Sequence, residues 1–182
     1  MKADGMEYDV EELEATLRTC DFIARFRDYG KFSALCRECP QYGKSWACPP
    51  FYRDLDAQLS RYDHILFHVS KIVPRRQDLP IALSRELLKP ERMRLETDFS
   101  RREAATGGLF LGFAGSCPHC PEGHCTRPSG RPCRHPSKCH PSLEAYGFDL
   151  CKASEEVFSL PILWSRNGHI PAYLTLICGL FY

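Results

Sequence analysis

His64-Ile-Leu-Phe-His-Val-Ser-Lys-Ile72 is the stretch on which the reading of the fold turns. It is rich in β-branched and aromatic residues and is closed by Pro74, so it reads as an internal strand of a sheet. Downstream, Leu109-Phe-Leu-Gly-Phe-Ala114 reads as a second buried strand that delivers Cys117 at its end. Ile162 to Ser165 and Ala172 to Phe181 are strand candidates on either side of Asn167-Gly168. That dipeptide suits a tight hairpin, because both residues tolerate positive φ.

Helices are expected around these strands. Glu7 to Thr19 places Val10, Leu13 and Leu17 on one helical stripe and concentrates acidic residues early, where a helix dipole favours them. A short strand is expected around Phe22 to Phe26. Arg53 to Arg61 carries Leu55 and Leu59 at helical spacing, and Ala82 to Ala105 forms a longer helix, broken or restarted at Pro90 and stopped by Gly107-Gly108. Ser142 to Gly147 reads as a short helix with Ser142 as its cap and Gly147 as its stop. The expected class is α+β or α/β: a single small mixed sheet with flanking helices, interrupted by two cysteine-rich loops at 36–50 and 116–141. At 182 residues the whole chain, 1–182, is expected to form one domain.

Those loops hold most of the chemistry. The chain has eleven cysteines, and seven fall into two blocks: Cys36-Arg-Glu-Cys39 with Cys48-Pro-Pro, and Cys117-Pro-His-Cys120 with Cys125 and Cys133. A Cys-x2-Cys pair brings two thiolates from one tight turn onto one metal ion or one face of a cluster. A disulfide framework fits poorly, because an odd count cannot be fully paired within one chain and the length is sufficient for a hydrophobic core. The opening segment MKADGMEYDVEELEATLRTC has no apolar leader, which places the expected location in the cytoplasm. The loop from Ser116 to Pro141 is too rich in Gly, Pro, Cys and His for regular periodicity. An ordered loop of that length needs an organiser, which bound metal would supply.

Charge narrows the partners. With 24 Lys+Arg against 23 Asp+Glu, the net charge of +1 lacks the positive field expected of a nucleic-acid binder. The runs around Arg92, Arg94, Arg101 and Arg102 alternate with Glu91, Glu96 and Glu103 and read as a solvated helix face. No stretch reaches the roughly 20 apolar residues of a bilayer span. The chain also lacks a nucleotide-binding loop, a dinucleotide fingerprint and a nucleophile elbow, so metal is the only cofactor indicated.

Together, Cys36 to Pro50, Cys117 to Pro136 and Pro141 to Gly147 resemble a family of small predicted metal-binding proteins of unknown function. Its members carry Cys-x2-Cys-Pro-x-Tyr-Gly leading to Cys-Pro-Pro, then Cys-x2-Cys-x4-Cys leading to Cys-Arg-x-Pro and Pro-Ser-x-Glu-Ala-x-Gly. The resemblance extends from about residue 20 onward. It implies metal binding, iron–sulfur in character, without a defined reaction; Cys139 lies outside the family pattern.

All-thiolate sites suit zinc and iron–sulfur clusters alike. Zinc ribbons set their paired cysteines about 15–20 residues apart, and Cys39 and Cys117 lie far beyond that, so the reading favours [4Fe–4S], with zinc or a redox-active dithiol as alternatives. Cys117, Cys120, Cys125 and Cys133 are assigned to one closed cluster, and Cys36, Cys39 and Cys48 to a second with an open iron. Cys20, Cys139 or Cys151 could supply its fourth ligand, all seven cysteines could share one site, and Cys133 could belong to the other cluster. His119, His124, His135 and His140 are weaker ligand candidates, exposed loop residues on the plainer reading. Tyr42 and Trp46 are either cluster shields or core aromatics. Arg134 and Glu144 are either groups near the metal or substrate, or exposed charges. Cys178 reads as a small buried hydrophobe. Three functions follow: electron transfer or redox accessory work with a redox protein partner, an enzyme using an open iron for Lewis-acid or sulfur chemistry, and a zinc-stabilised interaction module.

Overall fold

The structure is a computed structural model and describes residues 2–3, 6–76, 78–115, 117–121 and 123–182. Its strands in chain order are β1 (Lys2–Ala3), β2 (Met6–Arg18), β3 (His64–Pro74), β4 (Leu109–Leu111) and β5 (Leu174–Phe181). Its helices are α1 (Thr19–Phe26), α2 (Tyr29–Glu38), α3 (Leu55–Leu59), α4 (Ser84–Thr106) and α5 (Leu150–Phe158). Strands β2, β3, β5 and β4 pair in that order into a four-stranded antiparallel sheet, which the two-residue β1 extends beyond β2. Of the two expected classes, α+β is the one realised, and the strand ladders are antiparallel rather than mixed.

The predicted internal strand is β3, paired on both edges, with Val69 opposite Leu13 of β2 and Ile177 of β5. Side chains alternate across it. Ile65, Phe67 and Val69 face a core shared with Phe22, Phe26, Tyr146 and Phe148. Leu66 and Ile72 face the opposite core, where Leu87, Leu95 and Phe99 of α4 meet Phe110 and Leu180. The sheet is therefore the middle of three layers, with α4 on one face and α1 and α5 on the other.

The segment expected as a helix over Glu7 to Thr19 is β2. Tyr8 and Val10 belong to the α4-side core and Leu13 and Leu17 to the opposite one, which is a period of two. The acidic residues that suggested a helix start are satisfied by distant partners. Glu11 pairs with Lys71 across the ladder at 3.0 Å, Glu7 and Asp9 with Arg75, and Glu12 and Glu14 with Arg94 and Arg102 of α4. Phe22 to Phe26, expected as a strand, lies in α1, where the two rings stand one turn apart with centroids 5.0 Å from each other.

Helix α4 runs unbroken through Pro90. An interior proline costs roughly 3 kcal/mol. Burial of Leu87, Leu95 and Phe99 offsets this at roughly 1.5–3 kcal/mol each. Gly107 stops the helix at φ 66°, as expected. Of the second predicted strand, Leu109–Leu111 joins the sheet and Gly112 adds a single parallel bridge to Ser142, and Ile162 to Ser165 is not a strand. Asn167 and Gly168 do take positive φ, but Ile170 then bonds to the Leu79 carbonyl at 2.8 Å, so their turn joins the loop before α4 rather than a hairpin. Helices α2 and α5 have no counterpart in the sequence reading. Each opens on an aspartate, Asp28 and Asp149, whose side chain accepts from the backbone N–H three residues on, at 2.9 and 3.0 Å. Cys178 is fully buried on β5, as expected. No described helix is long and apolar enough to cross a membrane.

Candidate metal centre

Cys36 sits in the last turn of α2, and Cys39 caps that helix, its N–H bonded to the Cys36 carbonyl at 3.1 Å. Tight turns then carry the chain to Cys48. Tyr42 N–H bonds to the Cys39 carbonyl at 3.0 Å, Gly43 N–H to that of Pro49 at 2.9 Å and Cys48 N–H to that of Ser45 at 3.0 Å. These short rings turn the three thiols of the first block toward one side of the loop.

Helix α2 is held against the one-turn helix Glu144–Tyr146. Asp28 N–H bonds to the Gly147 carbonyl at 2.8 Å, and Gly147 has φ 93°. A side chain there would stand 2.7 Å from the Tyr29 Cα, so only glycine permits the approach. Ser142 caps the turn by accepting from the Ala145 N–H at 3.3 Å, as the sequence suggested. The Pro141 to Gly147 motif thus faces the first cysteine loop.

The second loop leaves β4 and is stapled to the first at several points. Trp46 Nε1 donates to Thr126 Oγ1 and to the Arg131 carbonyl, both at 3.2 Å, so Trp46 bridges the loops. Arg134 Nη1 donates to the His124 carbonyl at 2.8 Å, which makes it a loop-folding residue. The His135 N–H donates to Cys133 Sγ at 3.4 Å.

These elements line a partly open cavity of about 150 Å³. Cys36, Cys39 and Cys48 line it together with Cys117, so the structure brings the first block and the first cysteine of the second block to one space. Arg92 and Glu96 of α4, paired at 3.3 Å, also line it, as does Tyr42. Burial is the main cause that raises the Cys36 and Cys48 thiols above the ordinary range. Neighbouring thiols add to it: Cys39 acts on Cys36, and Cys39, Cys36 and Cys117 all act on Cys48.

Cys139 is placed beside Cys117. The neighbouring Cys139 thiol is the main cause that lowers Cys117 to about 6, helped by the His119 backbone and ring. Cys117 in turn, with burial and Cys133 as further causes, pushes Cys139 up. Cys133 and Cys139 also line a shallower groove of about 440 Å³ beside Trp46 and Arg53. Cys120 and Cys125 are half-buried in the same loop. Cys20 and Cys151 are exposed on α1 and α5, and neither lines the cavity.

The histidines divide. His124 and His135 are exposed, whereas His140 lies 3.0 Å from Glu103 and against the Phe110 ring, and His119 lies 3.9 Å from Glu96. Among the described residues no three His, Cys, Asp or Glu side chains are drawn tightly enough to grip a bare ion. The donor set nevertheless suits a metal group, because four thiols line one cavity where burial and neighbouring thiols raise Cys36 and Cys48, and a cation removes that penalty.

Glu144 is the residue whose place could not be read from the sequence. It lines the same cavity, and although the residue is only half-buried, its Oε2 is sealed from solvent and has no hydrogen-bond partner. Burial raises its pKa, while its own amide and the Ser142 hydroxyl draw it partly back.

Fold and site together describe a cysteine-rich α+β protein with a thiol-lined cavity. A family described as predicted metal-binding protein (DUF2284) matches residues 27–178, and the chain belongs to that family. No curated protein and no solved structure matches the chain.

Proposed function

We propose that the two cysteine loops hold iron–sulfur clusters of the [4Fe–4S] type, up to two per chain, and that the protein transfers electrons or serves as a redox accessory to a protein partner in the cytoplasm. The observation that carries this reading is the cavity of about 150 Å³ lined by Cys36, Cys39, Cys48 and Cys117. Space of that size takes up a benzene-sized group, which suits a multi-atom cluster better than a single ion. The cluster would supply a one-electron couple; the chain would supply its thiolates, its shielding and its potential. Cys36, Cys39 and Cys48 would hold one face, and Cys117, Cys120, Cys125 and Cys133 the second site. Tyr42, on the cavity lining, would shield a cluster held there from water, and a drier site with fewer hydrogen bonds to sulfur shifts a cluster's potential.

A second reading is an enzyme that binds its substrate at an incompletely ligated iron. The Arg92–Glu96 pair and the unpartnered Glu144 oxygen on the cavity wall favour it, because charged groups beside an apolar cavity can orient a polar ligand. Anaerobic purification followed by iron, sulfide and zinc analysis with EPR tests the principal reading. Brown protein with iron and acid-labile sulfide in similar amounts is expected. Stoichiometric zinc without sulfide would overturn it.

A further inference from the structure

We infer that Glu144 is the oxygen ligand that completes the metal site of Cys36, Cys39 and Cys48. The inference rests on the iron–sulfur reading above and adds a residue to it. Three thiols from the first loop leave one coordination position to be filled. Of the other cysteines, Cys20 and Cys151 are exposed outside the cavity, Cys139 neighbours Cys117 and Cys133, and Cys117, which does line the cavity, belongs to the second site in the reading above. Glu144 lines the same cavity as Cys36, Cys39 and Cys48.

Its state is otherwise unexplained. A buried carboxyl oxygen without a partner costs free energy, and buried carboxylates are normally paired or bound to metal. Oε2 has neither a hydrogen-bond donor nor solvent. Arg92, which also lines the cavity, is engaged by Glu96 at 3.3 Å and by the Ala114 carbonyl at 3.1 Å. A metal held by the three thiols would be the cation the carboxylate lacks. The carboxyl is also held in position: the Ser142 hydroxyl caps its turn, and the Gly147–Tyr29 contact presses that turn against α2, which bears Cys36. A single oxygen ligand among thiolates makes one iron chemically different from the rest and easier to exchange.

The test compares full-length wild type, Glu144→Gln and Glu144→Cys, all purified anaerobically. Iron and sulfide per chain, the rate of iron release to a ferrous chelator and the EPR spectrum are measured. Glu144→Gln keeps the shape and removes the charge. It should release one class of iron about ten- to hundredfold faster than wild type, in line with the loss of a supporting group at a metal. Glu144→Cys should retain the iron and shift the EPR signal of one cluster only, because a thiolate replaces the oxygen. Where Glu144→Gln fails to fold, Glu144→Cys decides: retained iron with an unshifted spectrum overturns the assignment. Wild-type release rates and spectra in both variants would overturn it while leaving the cluster reading intact. Wild type without iron and sulfide would overturn the cluster reading, and the Glu144 assignment with it.

Discussion

Arg127 of the second cysteine loop donates from Nη1 to the carbonyl of Ser45 in the first, at 2.7 Å. The same guanidinium reaches the carbonyls of Cys48 and Pro50 and lies over the Trp46 ring, 5.3 Å from its centroid. One planar fork thus satisfies three backbone oxygens around Cys48 and ties two loops that are far apart in sequence. Only a guanidinium has the fixed set of donors for this.

Arg127→Ala should therefore lower stability by about 2–4 kcal/mol, since it leaves buried carbonyls unpaired. Arg127→Lys should recover only a minor part, because an ammonium cannot span all three. Chemical denaturation together with metal content checks this. Equal metal loading in Arg127→Ala and wild type would show that the loops dock without the staple.

Gly147→Ala should cost about 3 kcal/mol or more, because the site has positive φ and the new methyl meets the Tyr29 backbone. The measurement is urea denaturation of the two proteins side by side. Gly43 offers the contrast: it also has positive φ, but nothing lies within 4 Å of a built side chain, so Gly43→Ala should be the milder change.

Cys117→Ala, Cys133→Ala and Cys139→Ala should each reduce metal content and expose the 116–141 loop to protease, since Cys139 neighbours both Cys117 and Cys133. Cys20→Ser and Cys151→Ser should leave metal content unchanged. Full loading of Cys139→Ala would return that residue to the role of bystander.

His68 gives the pH dependence. It is buried on β3 between Glu14, 3.2 Å from one ring nitrogen, and Ser70, 2.7 Å from the other, and burial lowers its pKa from the ordinary 6.5 although Glu14 pulls the other way. The unfolded chain takes up this proton more readily than the folded one. Its contribution to stability is therefore fully present above the unfolded pKa and is lost as pH falls from there toward the folded pKa. Melting temperature should drop as pH falls through and below the ordinary histidine pKa of 6.5, and His68→Gln should flatten that slope. Identical slopes in both proteins would assign the acid sensitivity elsewhere.

The sequence by itself determined the central strand, the helix stops, the cap at Ser142, the two cysteine blocks and the metal-binding family. These signals are local: a β-rich run, glycines where φ must be positive, and thiols at turn spacing act within a few residues. Tertiary structure alone decided that Met6–Arg18 is a strand, because its acids are satisfied by Lys71, Arg75, Arg94 and Arg102, far away in the chain. It likewise decided that Phe22 and Phe26 sit one turn apart on a helix, where their rings enter the core beside Phe67 and Phe148. The site divides in the same way. Residue types and spacing named the thiols, but the company of Cys117 with the first block, of Cys139 with Cys133, and of Glu144 with Cys36 depends on contacts closed by Arg127, Trp46 and Gly147. Those contacts join segments about 80–120 positions apart, and no local periodicity carries information over such a separation.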